Sequence, residues 1–273
     1  MITSQVCTLF ILMQNVSVII PTFNRAHLIE ESVSSVLAQT LKPTEVIVVD
    51  DGSNDKTWDI LKNLGFSLSG SQENTLRYLY KENGGVSSAR NVGIELSSSE
   101  YVALLDSDDQ WKPTKLEAQL SSLERENFSC RVSHTDEIWI RNGIRVNQHK
   151  KHSKAGGDLF EKCLKMCCIS PSSALIHRSV FDDLGSFDEN LKACEDYDFW
   201  LRYCAFEKTH FLNEPLTIKN GGHSDQLSQA YWGMDRFRIY SLEKLLQNKK
   251  LTRSKYQLAL TELLRKLKIL KKY

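Results

Sequence analysis

Three carboxylates directly follow an apolar segment in the sequence YVALLDSDDQW, residues 101–111. The apolar run predicts a buried strand of a parallel sheet, with Asp106, Asp108 and Asp109 at its end. Carboxylates this close together repel one another, and burying them without a cation is costly or forces protonation. Two acids spaced Asp-x-Asp are good oxygen ligands for Mg²⁺ or Mn²⁺, which completes its shell with water and substrate phosphates. The pattern therefore predicts a divalent metal ion beside a phosphate-bearing ligand.

Alternating strands and helices would position these acids. The predicted strands are 16–20 (stopped by Pro21), 46–49, 76–80 and 101–105, and the predicted helices between them are 27–39, 56–64 and 86–96. Strands separated by helices predict an α/β fold with a doubly wound, mostly parallel sheet. In such sheets, ligands bind beyond the carboxyl ends of the strands.

Polar or glycine-containing turns follow all four predicted strands, at residues 21–25, 50–53, 83–85 and 106–108. Any single turn could be explained by helix capping, but four converging on one crevice indicate a binding site. The sequence contains neither GxGxxG nor GxxxxGK[ST], so carboxylates rather than a phosphate-cradling glycine loop must hold the ligand. Asp50 and Asp51 could accept hydrogen bonds from a base or a ribose. A nucleoside diphosphate fits both ends of this crevice.

Five blocks resemble glycosyltransferase family 2, the inverting enzymes with the GT-A fold. They are VSVIIPTFNRA (16–26), VIVVDDGSNDKT (46–57), NGGVSSARNVGI (83–94), YVALLDSDD (101–109) and CEDYDFWLR (194–202). The blocks occur in the family's order and spacing and cover about residues 15–225. The resemblance implies nucleotide-binding and acceptor halves and a nucleotide-sugar donor, with uridine the commonest base in the family.

The resemblance also assigns roles to residues. Those expected to bind the nucleotide-sugar are Pro21, Thr22, Arg25, Asp50, Asp51, Gly85, Arg90, Asp106 and Ser107. Asp108 is expected to bind Mn²⁺ or Mg²⁺. His223, in the loop NGGHSDQLS (220–228), is expected to join the metal or a phosphate, the alternative being an exposed loop histidine.

The pair Glu195-Asp196 falls where these enzymes keep the catalytic base, so Asp196 would take the proton from an acceptor hydroxyl. The alternative for Asp196 is an acid at a helix start, and Asp198 is expected to cap or support it. Trp200 could line the sugar site or belong to the core. The acceptor would be a glycan or a lipid-linked glycan, and residues 127–160, to which no motif can be assigned, are expected to select it.

Four segments are expected: an N-terminal extension (1–14), a nucleotide-sugar-binding half (15–110), an acceptor and catalytic-base half (111–228) and a basic helical region (229–273). The apolar run 6–13 is too short to span a bilayer and lacks the basic start of a secretory signal. The seven cysteines include no CxxC pair, which favours reduced thiols in a cytosol over a zinc site.

Charge is distributed unevenly along the chain. The formal net charge is +1, yet residues 244–273 contain ten Lys or Arg and one acid, so they carry +9 and the rest carries −8. This C-terminal segment has a stripe of apolar residues: Tyr256, Leu260, Leu263, Leu264, Leu267 and Leu270. A polyanion or the inner membrane surface is one expected partner, which would make the protein cytoplasmic and peripheral at the membrane. The alternatives are a solvated basic face, with the stripe packed on the domain or on a second subunit. Nucleic acid is not an expected partner.

Two other functions compete with glycosyl transfer. A sugar nucleotidyltransferase also uses a doubly wound sheet and Mg²⁺, but its first loop is rich in glycine, whereas PTFNRAHL (21–28) contains none. The second competing function is nucleotide-sugar binding without catalysis. The acids Asp106, Asp108 and Asp196 argue against it.

Overall fold

The computed structural model describes residues 14–68, 75–222 and 231–271. The strands are β1 Val16–Thr22, β2 Glu45–Asp50, β3 Ser67–Leu68, β4 Leu76–Tyr80, β5 Tyr101–Leu104, β6 Gln110–Trp111, β7 Val132–Arg141, β8 Ile144–Val146, β9 Ala174–His177 and β10 His210–Gly221. The helices are α1 Ile29–Leu37, α2 Thr57–Asn63, α3 Val86–Leu96, α4 Lys115–Arg125, α5 Phe160–Lys165, α6 Ser179–Leu184, α7 Glu195–Cys204, α8 Asp235–Leu246 and α9 Arg253–Leu270. Short 3₁₀ turns lie at Lys150–His152 and Pro171–Ser173.

One sheet organises the chain, in the strand order β3-β4-β2-β1-β5-β9-β7-β10-β6, with β8 paired to β7. The five strands from β3 to β5 are parallel, as expected for strands joined by helices. Beyond β5 the sheet is mixed, since β9 runs antiparallel to both β5 and β7, and β10 runs parallel to β7. The predicted α/β fold, with a mostly parallel sheet and a helical C-terminal segment, is confirmed.

Helices cover both faces of the parallel half, which explains why its central strands are mostly apolar. On β1, Val18 and Ile20 pack with α1 in one cluster, whereas Ile19 faces the opposite cluster. Helix α3 packs on that opposite face, and its Gly93 lies directly against Ile19 and Val49. The close approach of α3 fixes the position of its N-terminal end, which lies at the strand ends where the candidate site is.

Replacing Gly93 by Ala is expected to lower the free energy of unfolding by about 1–2 kcal/mol. The added Cβ would overlap Ile19 Cγ2 and lie 3.3 Å from Val49 Cγ2, and this crowding outweighs the higher helix propensity of alanine. Urea unfolding measures the change. In an Ile19→Ala background the same substitution should cost much less, because the overlapping methyl group is gone. Equal costs in the two backgrounds would contradict this packing argument.

Pro21 does not stop β1, contrary to the prediction from the sequence. The strand continues to Thr22, and Pro21 is paired with Val49 of β2. In this parallel arrangement the odd-numbered residues of β1 bond towards β5, as Leu105 N does to Ile19 O. The pairing with β5 ends at Ile19. Pro21, which has no N–H, therefore removes no hydrogen bond from the sheet.

The C-terminal helices dock on the second half of the domain. Leu242 and Leu245 of α8 and Ala259 and Leu263 of α9 belong to its core cluster. The expectation that the leucine stripe packs on the domain holds only in part. Leu263 is buried and Leu267 and Leu270 are partly buried against the core, but Tyr256, Leu260 and Leu264 are exposed.

One lysine of the basic segment is also buried, because it is used inside the fold. Lys266 Nζ lies 3.0 Å from Asp235 Oδ1 and 3.3 Å from Glu262 Oε1, which ties α9 to the start of α8. In the described part of the chain, no helix combines the length and the apolar character that crossing a bilayer requires.

Candidate functional site

Four neighbouring strands, β4, β2, β1 and β5, bring the predicted site residues to one edge of the sheet. The turns that follow β1 and β2 are joined by hydrogen bonds. Asn24 N donates to Ser53 Oγ (2.7 Å), Asn54 N donates to Asn24 Oδ1 (2.9 Å) and Asp51 N donates to Thr22 O (2.8 Å). The two turns are therefore joined to each other and do not act only as separate helix caps.

Asp50 and Asp51 are both buried but have different surroundings. Asp50 accepts hydrogen bonds from Tyr78 OH (2.7 Å) and Ser53 N (2.8 Å), so it holds the turn after β2 to β4. Asp51 lies at the entrance to α3, where it accepts from the backbone of Gly84 and Gly85. The two acids predicted to contact a nucleotide thus belong to two different hydrogen-bond groups.

The carboxylate of Asp51 organises the residue 83–85 loop. Its Oδ1 accepts from Lys81 Nζ (2.7 Å) and Gly84 N (2.9 Å), and its Oδ2 accepts from Gly85 N (2.7 Å). Gly85 has φ +92°, a conformation that favours glycine, and a Cβ there would meet nothing within 4 Å. The glycine is therefore needed for its backbone conformation, and open space lies above it.

Arg90 of α3 connects the two halves of the candidate site. Its side chain is 3% exposed, and its Nη2 lies 2.7 Å from Asp106 Oδ1 while its Nη1 lies 2.7 Å from Glu195 Oε1. The turn after β5 and the first residue of α7 thus share one guanidinium. Arg90, predicted as a ligand of the nucleotide-sugar, contacts protein carboxylates through both terminal nitrogens, whereas its buried Nε has no hydrogen-bond partner among the described residues.

Protein cations meet two of the three acids that follow β5. Arg90 pairs with Asp106, and Lys219 Nζ of β10 lies 3.7 Å from Asp109 Oδ2. Asn220 fastens the same turn, because its N donates to Asp109 Oδ1 (3.0 Å) and its Nδ2 donates to Asp108 O (2.8 Å). The side chain of Asp108 makes no salt bridge within the described residues.

The three acids differ in protonation for identifiable reasons. Burial works to raise the pKa of Asp106, but the charge of Arg90, and then that of Lys219, outweighs it and lowers this pKa. Burial, and then the charge of Asp106, raises the pKa of Asp108. Burial, only partly offset by Lys219, raises the pKa of Asp109 to about 8. The positive charge that the sequence required is therefore supplied by the protein at Asp106, and a further cation would favour ionised Asp108.

Asp108 is the residue of this turn best suited to hold a divalent metal ion. The described residues contain no group of three or more His, Cys, Asp or Glu side chains arranged around a metal position. Mg²⁺ and Mn²⁺ sites in enzymes often use one or two carboxylates and take their other ligands from water and substrate phosphates. One carboxylate facing a substrate diphosphate fits this kind of site. His223, the other predicted metal ligand, lies outside the described residues.

The remaining predicted nucleotide contacts lie at the ends of β1 and β5. Thr22 is buried, and its Oγ1 has no hydrogen-bond partner in the part of the chain that the structure describes. Arg25 is half-buried, and its charge opposes the raised pKa of Asp108. Ser107 is buried, and its carbonyl accepts from Ser32 Oγ of α1 (2.8 Å).

Asp196, the predicted base, is half-buried in the first turn of α7, beside Glu195. Its Oδ1 accepts from Tyr197 N (2.7 Å), and its Oδ2 accepts from the Cys167 thiol (3.1 Å). Cys194, which precedes the pair, has the left-handed conformation (φ 62°, ψ 24°), which costs a non-glycine residue about 1–2 kcal/mol. The backbone thus makes a sharp turn where the two acids enter the site.

Two neighbours of Asp196 have structural roles. Asp198 is fully buried, with salt bridges to Arg202 (2.8 Å) and to Lys244 of α8 (2.8 Å), so it anchors α7 rather than reaching the site. Trp200 is also fully buried, packed edge-on against Phe199 with ring centroids 4.9 Å apart. The hypothesis that Trp200 lines a sugar site is therefore wrong.

A cavity of about 350 Å³ opens beside Asp196. Its walls come from β7, the 3₁₀ turn at Lys150–His152, α5 and the end of β10. Glu137 of β7 lies in this wall, where its Oε1 is 2.9 Å from Lys154 Nζ and accepts from Ser170 Oγ (2.6 Å). The cavity thus includes part of the 127–160 segment that was expected to select the acceptor.

Glu137→Gln is expected to flatten the pH dependence of stability in acid. Burial would raise the pKa of Glu137, but Lys154, then Lys219 and Ser170, hold it at about 2. A lowered folded-state pKa contributes stability that is present above the unfolded value of about 4.5 and is lost as the pH falls towards 2. From this shift we expect a difference of about 3 kcal/mol in that contribution between neutral pH and pH 2.

Urea unfolding of both proteins at pH 7, 5 and 3.5 measures this effect. The wild type should lose more of its free energy of unfolding on acidification than Glu137→Gln does. Glu82→Gln, at an exposed position, is the control and should follow the wild type. Parallel pH profiles for the wild type and Glu137→Gln would contradict the strong ionisation of Glu137.

The first comparisons with known proteins concern the sequence. Residues 17–185 match the family described as Glycosyl transferase family 2. The putative teichuronic acid biosynthesis glycosyltransferase TuaG of Bacillus subtilis is 42% identical over 225 residues, which are 79% of this chain and 84% of TuaG. The Escherichia coli enzyme WfgD, a UDP-Glc:alpha-D-GlcNAc-diphosphoundecaprenol beta-1,3-glucosyltransferase, is 34% identical over 186 residues, 68% of each chain.

Two further comparisons concern length and fold. An uncharacterized glycosyltransferase of Rickettsia typhi is 36% identical over 219 residues, and this chain spans 66% of its length. The crystal structure of Staphylococcus aureus TarS 1–349 in complex with UDP-GlcNAc superposes with a TM-score of 0.73 at 23% identity, covering 93% of this chain and 72% of that one. The sugar nucleotidyltransferase hypothesis finds no support among these matches, and the chain belongs to glycosyltransferase family 2.

Proposed function

We propose that the chain is an inverting glycosyltransferase that moves a sugar from a UDP-sugar to a hydroxyl group of an acceptor in cell-surface polysaccharide synthesis. The observation that carries the proposal is the pair of salt bridges made by Arg90. One guanidinium holds Asp106, at the predicted donor side, and Glu195, the neighbour of the predicted base. Donor and base are thereby kept in a fixed relation, which transfer in a single displacement requires.

The strand-end turns would hold the nucleotide. The nucleobase would lie over the Asp51 and Gly85 loop, and the hydroxyl of buried Thr22, which has no hydrogen-bond partner among the described residues, is available to it. Asp106 would lie near the ribose. Arg25 would face the diphosphate with Asp108, which would hold Mn²⁺ or Mg²⁺. When bound, that ion offsets negative charge on the diphosphate leaving group.

Asp196 would act on the acceptor. It lines the cavity next to the turn of residues 106–109, called the acid turn below. It would accept the proton of the acceptor hydroxyl as that oxygen attacks the anomeric carbon. Attack from the side opposite the diphosphate inverts the anomeric configuration. Glu195, held by Arg90, would orient the start of α7 rather than contact the reacting atoms.

The names of two relatives support the choice of donor and pathway. WfgD is described as using UDP-Glc and a diphosphoundecaprenol-linked acceptor, and TuaG as acting in teichuronic acid biosynthesis. A UDP-sugar donor and a glycan or lipid-linked acceptor are therefore proposed for this chain.

Thermal unfolding with UDP, GDP, CDP and dTDP, each with and without Mn²⁺, tests the donor site. UDP with metal should stabilise the protein most, by about 2.7 kcal/mol at 100 times its dissociation constant. Release of UDP from a panel of UDP-sugars then tests catalysis. Stabilisation by none of the nucleotides would contradict the proposed site, and UDP binding without release of UDP from any sugar and acceptor tried would favour a non-catalytic binder.

The exposed face of α9 leads to a proposal about location. Tyr256, Leu260 and Leu264 lie at i, i+4 and i+8 on its surface, and Arg253 and Lys268 are exposed on the same helix. This combination would bind an anionic inner membrane surface peripherally. Co-sedimentation with phosphatidylglycerol vesicles should decrease in Leu260→Ser/Leu264→Ser and in high salt, with neutral phosphatidylcholine vesicles as the control. Equal binding to both vesicle types would contradict the proposal.

A further inference from the structure

The cavity beside Asp196 has an excess of positive charge. Among the residues that the structure describes, its lining contains five basic side chains, from Arg141, Lys151, Lys154, Lys162 and Lys219, and two carboxylates, from Glu137 and Asp196. Like charges brought together around one cavity repel, and the repulsion grows where water is partly excluded. Ordinary solvation of surface lysines does not explain why these cations converge on one concave wall.

Two of the five cations lie beside carboxylates of the protein. Lys154 pairs with Glu137 (2.9 Å), and Lys219 lies 3.7 Å from Asp109. For Arg141, Lys151 and Lys162, by contrast, no carboxylate of residues 14–68, 75–222 or 231–271 lies within salt-bridge distance. The Lys162 ammonium donates to the carbonyl of Ser153, a neutral group. Three cations at the cavity thus lack an anionic partner within the described chain.

Other side chains at the cavity fit this charge distribution. Burial, and then the charges of Lys151 and Lys154, lower the pKa of His152, which keeps its ring neutral at neutral pH. The ring packs against Trp139, with centroids 5.3 Å apart, and Trp139 Nε1 donates to Glu137 Oε2 (2.7 Å). The wall therefore combines a fixed aromatic surface, suited to a sugar ring, with cations that have no carboxylate partner in the described part of the chain.

We propose that the acceptor is anionic, presenting a phosphoryl or carboxylate group to Arg141, Lys151 and Lys162 while its hydroxyl faces Asp196. The inference rests on the proposed glycosyl transfer and adds the chemical class of the acceptor. The donor's own diphosphate is a poor candidate for these cations, since they lie on β7, the following 3₁₀ turn and α5, whereas the donor residues lie at the ends of β1, β2 and β5.

Binding of three matched probes tests the proposal. Glucose 1-phosphate, glucuronate and methyl glucoside are titrated by calorimetry into protein saturated with UDP and Mn²⁺, so that the donor site is filled. At least one charged probe should bind at least tenfold more tightly than methyl glucoside. Whichever charged probe binds more tightly, glucose 1-phosphate or glucuronate, indicates whether the acceptor presents a phosphoryl or a carboxylate group. The titration is repeated without UDP, so that an answer is obtained whether or not nucleotide binds.

Substitutions identify which side chains bind the charged probe. Arg141→Gln, Lys151→Gln and Lys162→Gln should each weaken the charged probe by about fivefold or more and leave methyl glucoside unchanged. Lys165→Gln, at an exposed position of the same helix α5 but outside the cavity lining, is the matched control and should stay within twofold. UDP stabilisation reports independently on the proposed function.

Three results would overturn the inference: equal binding of charged and neutral probes, no saturable binding of either charged probe, or equal losses in Lys165→Gln and the cavity variants. If any of these occurs while UDP still stabilises the protein, only the anionic acceptor is refuted. A lack of stabilisation by any nucleotide would instead refute the donor site.

Discussion

Asp196→Asn is expected to lower kcat for sugar transfer by about 10³-fold, while the Kd for UDP changes by less than about twofold. General-base catalysis contributes on the order of 10²–10⁴ to enzymatic rates, and asparagine cannot take up the proton of an acceptor hydroxyl. The donor residues lie on other elements, at the ends of β1, β2 and β5. Loss of the base should therefore separate catalysis from nucleotide binding.

The surroundings of Asp196 make asparagine a conservative replacement. The amide oxygen can still accept from Tyr197 N, which now donates to Asp196 Oδ1 at 2.7 Å. The Cys167 thiol, 3.1 Å from Oδ2, would face the amide nitrogen instead and loses its acceptor. Because Asp196 is half-buried and makes no salt bridge within the described residues, we expect a change of at most about 1 kcal/mol in stability.

UDP release from a UDP-sugar, with and without acceptor, measures the effect, and calorimetry with UDP and Mn²⁺ measures binding. Asp59→Asn, an exposed acid on α2, is the control and should behave as wild type in both. Unchanged transfer would show that Asp196 is only an acid at a helix start. Loss of UDP binding together with transfer would show that it supports the fold of the site instead of acting as the base.

The donor half of the fold could be predicted from the sequence because its signals are local. Strands buried on both faces are mostly apolar, and the helix that the sequence predicts over 86–96 is α3, Val86–Leu96. Parallel strands also have their carboxyl ends at one edge, so the polar turns at 50–53 and 106–108 could be placed together without knowing any contact. Pro21 was misjudged because its cost depends on which neighbouring strand faces it.

The pairings that shape the site could not be predicted in this way. Arg90 and Glu195 are 105 residues apart in the sequence, and Asn220 and Asp109 are 111 apart. Nothing in the local pattern around Lys219 indicates that β10 returns beside the acid turn. The sequence therefore led to a metal ion as the missing positive charge, whereas Arg90 supplies it for Asp106 and Lys219 lies near Asp109.

The acceptor half was harder to predict because its sheet is mixed and irregular. β10 pairs with β7 through register shifts around Pro215, and β9 inserts between β5 and β7 in the opposite direction. The leucine stripe of α9 was assigned as one face, but helix packing buried Ala259 and Lys266 and left Leu260 and Leu264 outside. Periodicity identified the helix, but the side that faces inwards also contains Lys266, whose ammonium pairs with Asp235 of α8.

Arg90→Gln is the substitution expected to damage both stability and binding. Its guanidinium is buried between two carboxylates, at 2.7 Å from each, so its removal leaves Asp106 and Glu195 without their shared cation. Breaking a buried ion pair from one side typically costs about 3–5 kcal/mol. UDP affinity and transfer should fall together, because the acid turn and the start of α7 are no longer held to each other.

The pH dependence of this loss has a defined sign. Arg90 is the first of the charges that lower the pKa of both carboxyl groups against burial, so its removal raises both pKa values, and that of Glu195 is already raised in the wild type. A raised folded-state pKa contributes stability below the unfolded pKa that is lost as the pH rises. The destabilisation of Arg90→Gln relative to wild type should therefore be smaller at pH 5 than at pH 8.

Urea unfolding at pH 5, 6.5 and 8 measures the stability of wild type, Arg90→Gln and Arg90→Lys, and calorimetry measures UDP binding. Lysine keeps the charge but lacks the planar fork that reaches two carboxylates, so it should be intermediate. Arg77→Gln is the matched control, since Arg77 makes a single 2.9 Å bridge, to Glu45, and is more exposed than Arg90. We expect it to cost about 1 kcal/mol and to leave UDP binding unchanged. A destabilisation of Arg90→Gln that is no larger than that of Arg77→Gln, or one that grows as the pH falls, would show that Arg90 does not hold the two halves of the site together.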